Sequence, residues 1–304
     1  MTSASRVGSI GSRGVSLTAA DHRTRRPCAV PYPAGMLRVA RLSIAPVRAL
    51  ALQHPQSIDV ERDGVLEDRR FYLVDSHGRL VDRLLAGGLV QVVAETNSGA
   101  TWLRLAFPDG RIVEGDVTLH EPVRTDIYNR VAFGRVVGGP FAAALEAYAH
   151  RPVLLVRCDR PGGTRIKLGE DHVRNGVSIV SDGSLAELAR QLGVEAVDGR
   201  RFRMLMEVEG AGAHEEDTWI GGSVEVGSAV LDITKPDARC AITTQSPDTG
   251  ERDLDTLRTI LRYRGFRADD PDHKIDFGVL GEVAVAGRIS VGDELVVRRE
   301  AAVA

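Results

Sequence analysis

From Met36 onward, apolar residues recur at every second position in short runs, and almost every run stops at a glycine or a proline. Leu37, Val39, Leu42 and Ile44 lead into Ala45-Pro46. Arg70 to Asp75 turns at Ser76-His77-Gly78 and returns through Leu80 and Val81. Trp102, Leu103, Leu105 and Phe107 reach Pro108-Asp109-Gly110, with Ile112 and Val113 beyond. A period of two places alternate side chains on one face of a strand, and proline or glycine must bend or end it. Helical spacing is confined to Pro140–Ala149, to Leu185, Leu188 and Leu192 after Ser181 or Asp182, and to Leu254–Tyr263. Further strands are expected at Val153–Val156, Val177–Val180 and Phe202–Val208, in a hairpin from Ser223 to Ile233, and from Gly281 to Arg298. Short twisted strands with glycine corners and few helices predict a β-rich α+β protein built on barrels, not a doubly wound sheet.

A chain of 304 residues suggests two units. The best linker is Arg160-Pro161-Gly162-Gly163, which divides 36–159 from 160–300. Residues 1–35 differ from both. They hold five arginines against one aspartate, a net +4 in a chain whose total is −3, and no apolar signal region. This segment reads as a disordered tail, either for targeting or preceding a true start at Met36. No apolar run approaches the roughly 18 residues of a membrane helix. The near-neutral charge gives no global attraction to nucleic acid or anionic lipid. Three cysteines without a CxxC pair exclude a disulfide scaffold and a self-contained iron–sulfur cluster, which fits a cytoplasmic protein. Of the 39 basic residues only Lys167, Lys235 and Lys274 are lysine. Coding bias explains most of that excess of arginine.

Several motifs dissolve on inspection. Gly8-x-x-Gly11-x-x-Gly14 sits in the tail with no strand–helix unit to serve. His214-Glu215-Glu216-Asp217 and Asp269-Asp270-Pro271-Asp272-His273 read as solvated loops, since neighbouring residues do not converge on one ion without a special loop. No Gly-x-Ser-x-Gly elbow exists. Cys240 is different. It follows Arg239 at the end of an apolar strand and precedes Ser246-Pro247-Asp248-Thr249-Gly250, a turn rich in backbone donors. Such a setting favours a thiolate that ligates metal or attacks electrophiles, although a buried structural cysteine stays equally open on chemistry alone. Cys158 reads as structural, and Cys28 lies in the tail.

Arg201-Phe202-Arg203, Glu216-Asp217-Thr218-Trp219, Arg239-Cys240-x-x-Thr243-Thr244, Pro247-Asp248-Thr249-Gly250, Phe277-Gly278 and Gly292-Asp293 together resemble the MOSC domain. Ala45-Pro46-Val47-Arg48, Asp68-Arg69-Arg70-Phe71, Leu73-Val74-Asp75 and Gly78 resemble the barrel that precedes it in the family. The likeness spans 36 to about 299 and is nearest to the amidoxime-reducing components and their bacterial counterparts. It implies a β-barrel-like N-terminal domain packed with a MOSC β-barrel. It also implies molybdenum cofactor, with Cys240 as catalytic residue and molybdenum ligand. Arg203 and Arg70, with Arg69 as the neighbouring choice, are implied as phosphate or pterin contacts. Arg48 stands where the family has a lysine, Asn175 where it has a polar pocket residue, and Arg239 and Thr243 complete the cofactor-binding set. A family-level association with pyridoxal phosphate comes with the same resemblance. Three positions depart from the pattern: Ala49 and Ala238 replace serines, and Leu205 replaces an asparagine.

The resulting expectation is reduction of N-hydroxylated compounds, the metal taking the substrate oxygen. No flavin or nicotinamide fingerprint is present, so a separate electron donor of ferredoxin, flavin or cytochrome type is implied. The alternatives are a sulfur carrier using a Cys240 persulfide and a non-catalytic module that stores the cofactor.

Overall fold

The computed structural model describes residues 35–127, 130–161, 176–268 and 270–299. Cys28, Asn175 and the linker glycines at 162–163 fall outside them. The first half runs through β1 (Leu37–Leu42), β2 (Ser57–Val60), β3 (Phe71–Val74), β4 (Leu80–Val81), β5 (Val93–Thr96), β6 (Trp102–Ala106), β7 (Ile112–Asp116), β8 (Leu119–Ile127) and β9 (Arg130–Val137). Helix α1 (Phe141–Ala149) and β10 (Leu154–Cys158) complete it. The second half holds β11 (Val177–Ser181), α2 (Asp182–Leu192), β12 (Met206–Glu209), β13 (Ser223–Val226) and β14 (Ala229–Ala238). It continues through α3 (Thr256–Arg264), β15 (Asp276–Val285), β16 (Gly287–Ser290) and β17 (Glu294–Arg298).

The fold is β-rich α+β, as the period-two pattern predicts. Seven strands close a barrel in the order β1-β12-β11-β15-β14-β13-β17. Alternation sends Val39, Leu42, Ile179, Val208, Leu231 and Val279 into its core. The barrel is not made from the second half alone. β1 pairs antiparallel with both β12 and β17, joining two strands that would otherwise present open edges. β2 pairs with β16 in the same spirit. The parallel pair β11–β12 requires a crossover, and α2 supplies it. Its cap is Ser181, whose hydroxyl accepts from the Ser184 amide.

In the first half a five-stranded sheet, β4-β3-β10-β9-β8, and a three-stranded sheet, β5-β6-β7, share a core with α1 through Phe71, Leu73, Leu103, Leu105, Phe141 and Leu155. The other face of the five-stranded sheet carries a smaller cluster, Tyr72, Val74, Val156 and Cys158. Cys158 is 1% exposed, and burial raises its thiol pKa.

One expected strand starts late. Residues Gly199–Phe202 form a 3-10 turn, and Arg203 caps it with φ +53, so β12 begins only at Met206. Left-handed backbone cannot continue a strand. Among the described residues no helix is long and apolar enough to cross a membrane.

Candidate functional site

Two sequence motifs from the first half are stitched together by backbone bonds. The Ala45 amide donates to Asp68 Oδ1 at 2.8 Å, and the Arg69 amide donates to the Ala45 carbonyl at 2.7 Å. Phe71 donates to Pro46 at 3.0 Å, and Arg48 donates to Phe71 at 2.7 Å. Arg48 and Arg69 are thereby neighbours although 21 positions apart in sequence.

The second half meets this edge through Arg203. Its Nη2 donates to the Leu50 carbonyl at 2.9 Å, while Arg69 Nη2 donates to the Arg203 carbonyl at 3.0 Å. Ala49, Arg69 and Arg203 have φ of +74°, +57° and +53°. Non-glycine residues in this region are uncommon and cluster at functional sites.

Cys240 lies where β14 ends. The Arg239 amide donates to the Ile275 carbonyl at 2.7 Å, after which Ala241–Thr244 turns as a short 3-10 segment. The Thr243 amide and hydroxyl both donate to the Cys240 carbonyl, at 3.2 and 3.1 Å, and Thr256 donates to the Thr243 hydroxyl at 3.0 Å. Thr243 therefore fixes the cysteine's backbone. Arg239 is likewise occupied: it pairs with Asp237, donates to the Phe202 carbonyl at 2.6 Å and lies 5.4 Å over the Phe202 ring. The Cys240 side chain is left exposed.

It opens on a cleft of about 210 Å³ whose wall carries six arginines, Arg48, Arg69, Arg83, Arg201, Arg203 and Arg239, against Asp82 and Asp237. Arg201 is held by Asp253 through two bonds of 2.5 and 2.6 Å, and Arg69 pairs with Asp68. Burial, followed by repulsion from Arg69 and Arg83, pushes Arg203 well below the ordinary guanidinium value. Burial and then Arg201 bring Arg83 down to about 10, opposed by Cys240 and Asp82. Both stay charged at neutral pH, so the depressed values measure how poorly the fold solvates them. A cleft of this kind favours an anion.

Of the residues singled out from the sequence, Cys240, Arg48, Arg69, Arg203, Arg239 and Thr243 share this wall. Arg70 is not on it. The left-handed turn at Arg69 separates the two side chains, and Arg70 sits beside Cys158 and Arg157. Asn175 lies outside the described residues. Of the three departures only Ala49 lines the cleft; Leu205 is 1% exposed inside the barrel, and Ala238 is exposed at the end of β14.

Glu216 corrects the solvated-loop reading of 214–217. It is 0% exposed, accepting from the Ser181 and Ser184 hydroxyls at 2.7 Å each. Arg83 escaped the sequence reading altogether. The charged pair Asp82-Arg83 between Leu80-Val81 and Leu84-Leu85 was the only available signal.

The site is an exposed thiol in an arginine-lined cleft beside a closed barrel. Residues 163–296 match the MOSC domain model, so over that span the chain is similar to MOSC domains. It is 32% identical over 123 residues to mitochondrial amidoxime reducing component 2 of Bos taurus, covering 38% of this chain and 35% of that one. Against the Homo sapiens protein of that name it is 33% identical over 125 residues, again covering 35% of the relative. The Rattus norvegicus protein aligns over 94% of this chain and 91% of its own length at 25% identity. Among solved structures, the YUAD protein from Bacillus subtilis matches 86% of this chain and 96% of its own with a TM-score of 0.41 and 13% identity.

Proposed function

We propose that this protein holds molybdenum cofactor in the Cys240 cleft and reduces N-hydroxylated compounds with electrons from a separate donor protein. The observation that carries the reading is one exposed thiol on a wall of six guanidinium groups. A thiolate is a soft ligand suited to a metal in a sulfur-rich setting, and planar guanidinium forks suit phosphate oxygens. These donors fit both ends of a pterin cofactor, and the unpartnered Nε and Nη1 of buried Arg83 fit its anionic end. The MOSC match and the relatives named amidoxime reducing components support the same assignment.

In this reading Cys240 ligates the metal. Arg69 and Arg203 hold the phosphate, and Arg48 adds charge to the same wall. Arg239 and Thr243 act through Cys240, fixing the backbone on which its sulfur rides. Asn175 stays assigned to the pocket by resemblance alone. When bound, the cofactor supplies two-electron oxygen chemistry. The net reaction takes up two electrons and two protons, breaks the N–O bond and releases the oxygen as water. Three cysteines are too few for an iron–sulfur relay in the same chain, which is why the electrons are assigned to a partner.

The test is purification from cells that make molybdenum cofactor, with Cys240→Ala in parallel. The expected result is stoichiometric molybdenum and reduction of an amidoxime to its amidine by a reduced viologen dye, both lost in the variant. Absence of metal with a cyanide-labile sulfur on Cys240 replaces this reading by sulfur transfer. Absence of both leaves neither standing.

A further inference from the structure

A second cavity of about 270 Å³ adjoins the cleft, lined by Leu52, His54, Gln91, Arg200, Pro247 and Asp248, among others. Arg83 and Arg203 belong to both walls. The junction is held by a close backbone contact between the halves. Gln245 Nε2 donates to the Arg83 carbonyl at 2.8 Å, and Arg83 Nη2 donates to the Ser246 carbonyl at 3.1 Å. Gly87 and Gly250 abut so tightly that a Cβ at residue 250 would stand 2.0 Å from the Gly87 oxygen. The Pro247-Asp248-Thr249-Gly250 motif is thus the strut that positions Arg83.

Arg83 is 1% exposed, yet it uses a single donor atom. Among the described residues, Nε and Nη1 find no hydrogen-bond partner and no carboxylate forms an ion pair with Arg83. Its neighbours are treated otherwise. Arg201 has Asp253, Arg69 has Asp68, Arg239 has Asp237, and Arg200 has Asp198 and Asp248. A buried guanidinium with donors left over is costly unless a ligand completes it. His54 in the second cavity is kept toward its neutral form by burial and Arg41, so the positive charge at the junction comes from guanidinium groups.

We propose that Arg83 is the central donor of a seat for a phosphate group, a phosphate monoester dianion, at the wall shared by the two cavities. Nε and Nη1 leave on opposite edges of the guanidinium, so one of them meets a phosphate oxygen, and Arg203 supplies the second positive charge. Asp237 on the cleft wall is neutralised by Arg239; Asp82 accepts from the Leu84 amide at 2.9 Å. Identifying the phosphate as that of the cofactor rests on the function proposed above, whereas the seat itself does not.

The experiment uses the full chain from cells that cannot make molybdenum cofactor. Its melting temperature is followed against inorganic phosphate, with chloride at equal ionic strength as reference. Wild type is expected to show a saturable rise. Arg83→Met should weaken the apparent phosphate affinity about tenfold, and Arg83→Lys, which keeps the charge but not the planar guanidinium, about threefold. Circular dichroism of both variants establishes that they fold; Arg83→Lys carries the test should Arg83→Met fail to. No saturable response in wild type, or an undiminished one in the folded variants, overturns the seat. Protein from cofactor-producing cells then separates the sources. If the cofactor's phosphate occupies the seat, loaded protein loses its response to inorganic phosphate. If it responds as before, the seat serves a free phosphate ester. A seat that binds phosphate in a chain that never takes up molybdenum stands while the proposed function fails.

Discussion

The Glu216 pocket and the Arg83 cleft both bury a charge-bearing side chain, and they finish it in opposite ways. Glu216 sits under helix α2 with the Ser181 and Ser184 hydroxyls at 2.7 Å and the Ser181 amide at 3.3 Å. Folding alone satisfies it, and burial raises its carboxyl pKa. Arg83 is as deeply buried and is left with two donor atoms unused. The two cysteines among the described residues repeat the contrast: Cys158 is sealed in a sheet face, Cys240 opens on the cleft. A buried polar group completed by the protein is architecture. One that folding leaves incomplete needs an explanation, and for Arg83, which lies on the walls of two cavities, a ligand is the one proposed above.

Four measurements sharpen or break this contrast. The largest effect is expected at the strut. Gly250 has φ +76 and no space for a Cβ, so Gly250→Ala should lower the unfolding free energy by about 4 kcal/mol in denaturant titration. A loss below about 1 kcal/mol would mean that the two halves slide past each other freely. Glu216→Ala comes next, at about 3 kcal/mol, because it strands two hydroxyls and an amide in the core. Arg83→Met should change the stability of cofactor-free protein by no more than about 1 kcal/mol, since lost repulsion offsets the lost bond to Ser246. If Arg83→Met instead destabilises as strongly as Glu216→Ala, Arg83 is architectural and the contrast collapses.

The smallest effect is a pH slope. The folded protein raises the Glu216 pKa, so the protonated form is the one the fold prefers. Its contribution is complete below the unfolded value and is lost as pH rises through the folded one. Glu216→Gln should flatten that part of the stability profile above the ordinary carboxyl range. An unchanged profile would assign the slope to another group.

Much of the fold is legible in the sequence because each strand advertises itself locally. β3, the β6–β7 hairpin, β11, α2 with its Ser181 cap, and α3 stand close to where alternation and helical spacing put them. Cys240, with its flanking Arg239 and Thr243, is legible for the same reason. The pairing of β1 with β12 and β17 is not, since nothing in Leu37–Leu42 says which distant edges it will join. The choice of Arg69 over Arg70 hangs on one left-handed residue that no local pattern requires. Glu216 looked solvated because its neighbours are charged, and its partners on β11 and α2 lie 35 and 32 positions away.

The sequence by itself determined a β-rich chain, one distinctive thiol and a surplus of arginine, because composition, period and adjacency are local properties. Tertiary structure decided which arginines are paired. Arg201 found Asp253, Arg69 found Asp68, and Arg83 found a carbonyl and little else. Whether a buried charge is completed or left open depends on long-range pairing of groups from separate strands and turns, and that exists only once the barrel has closed.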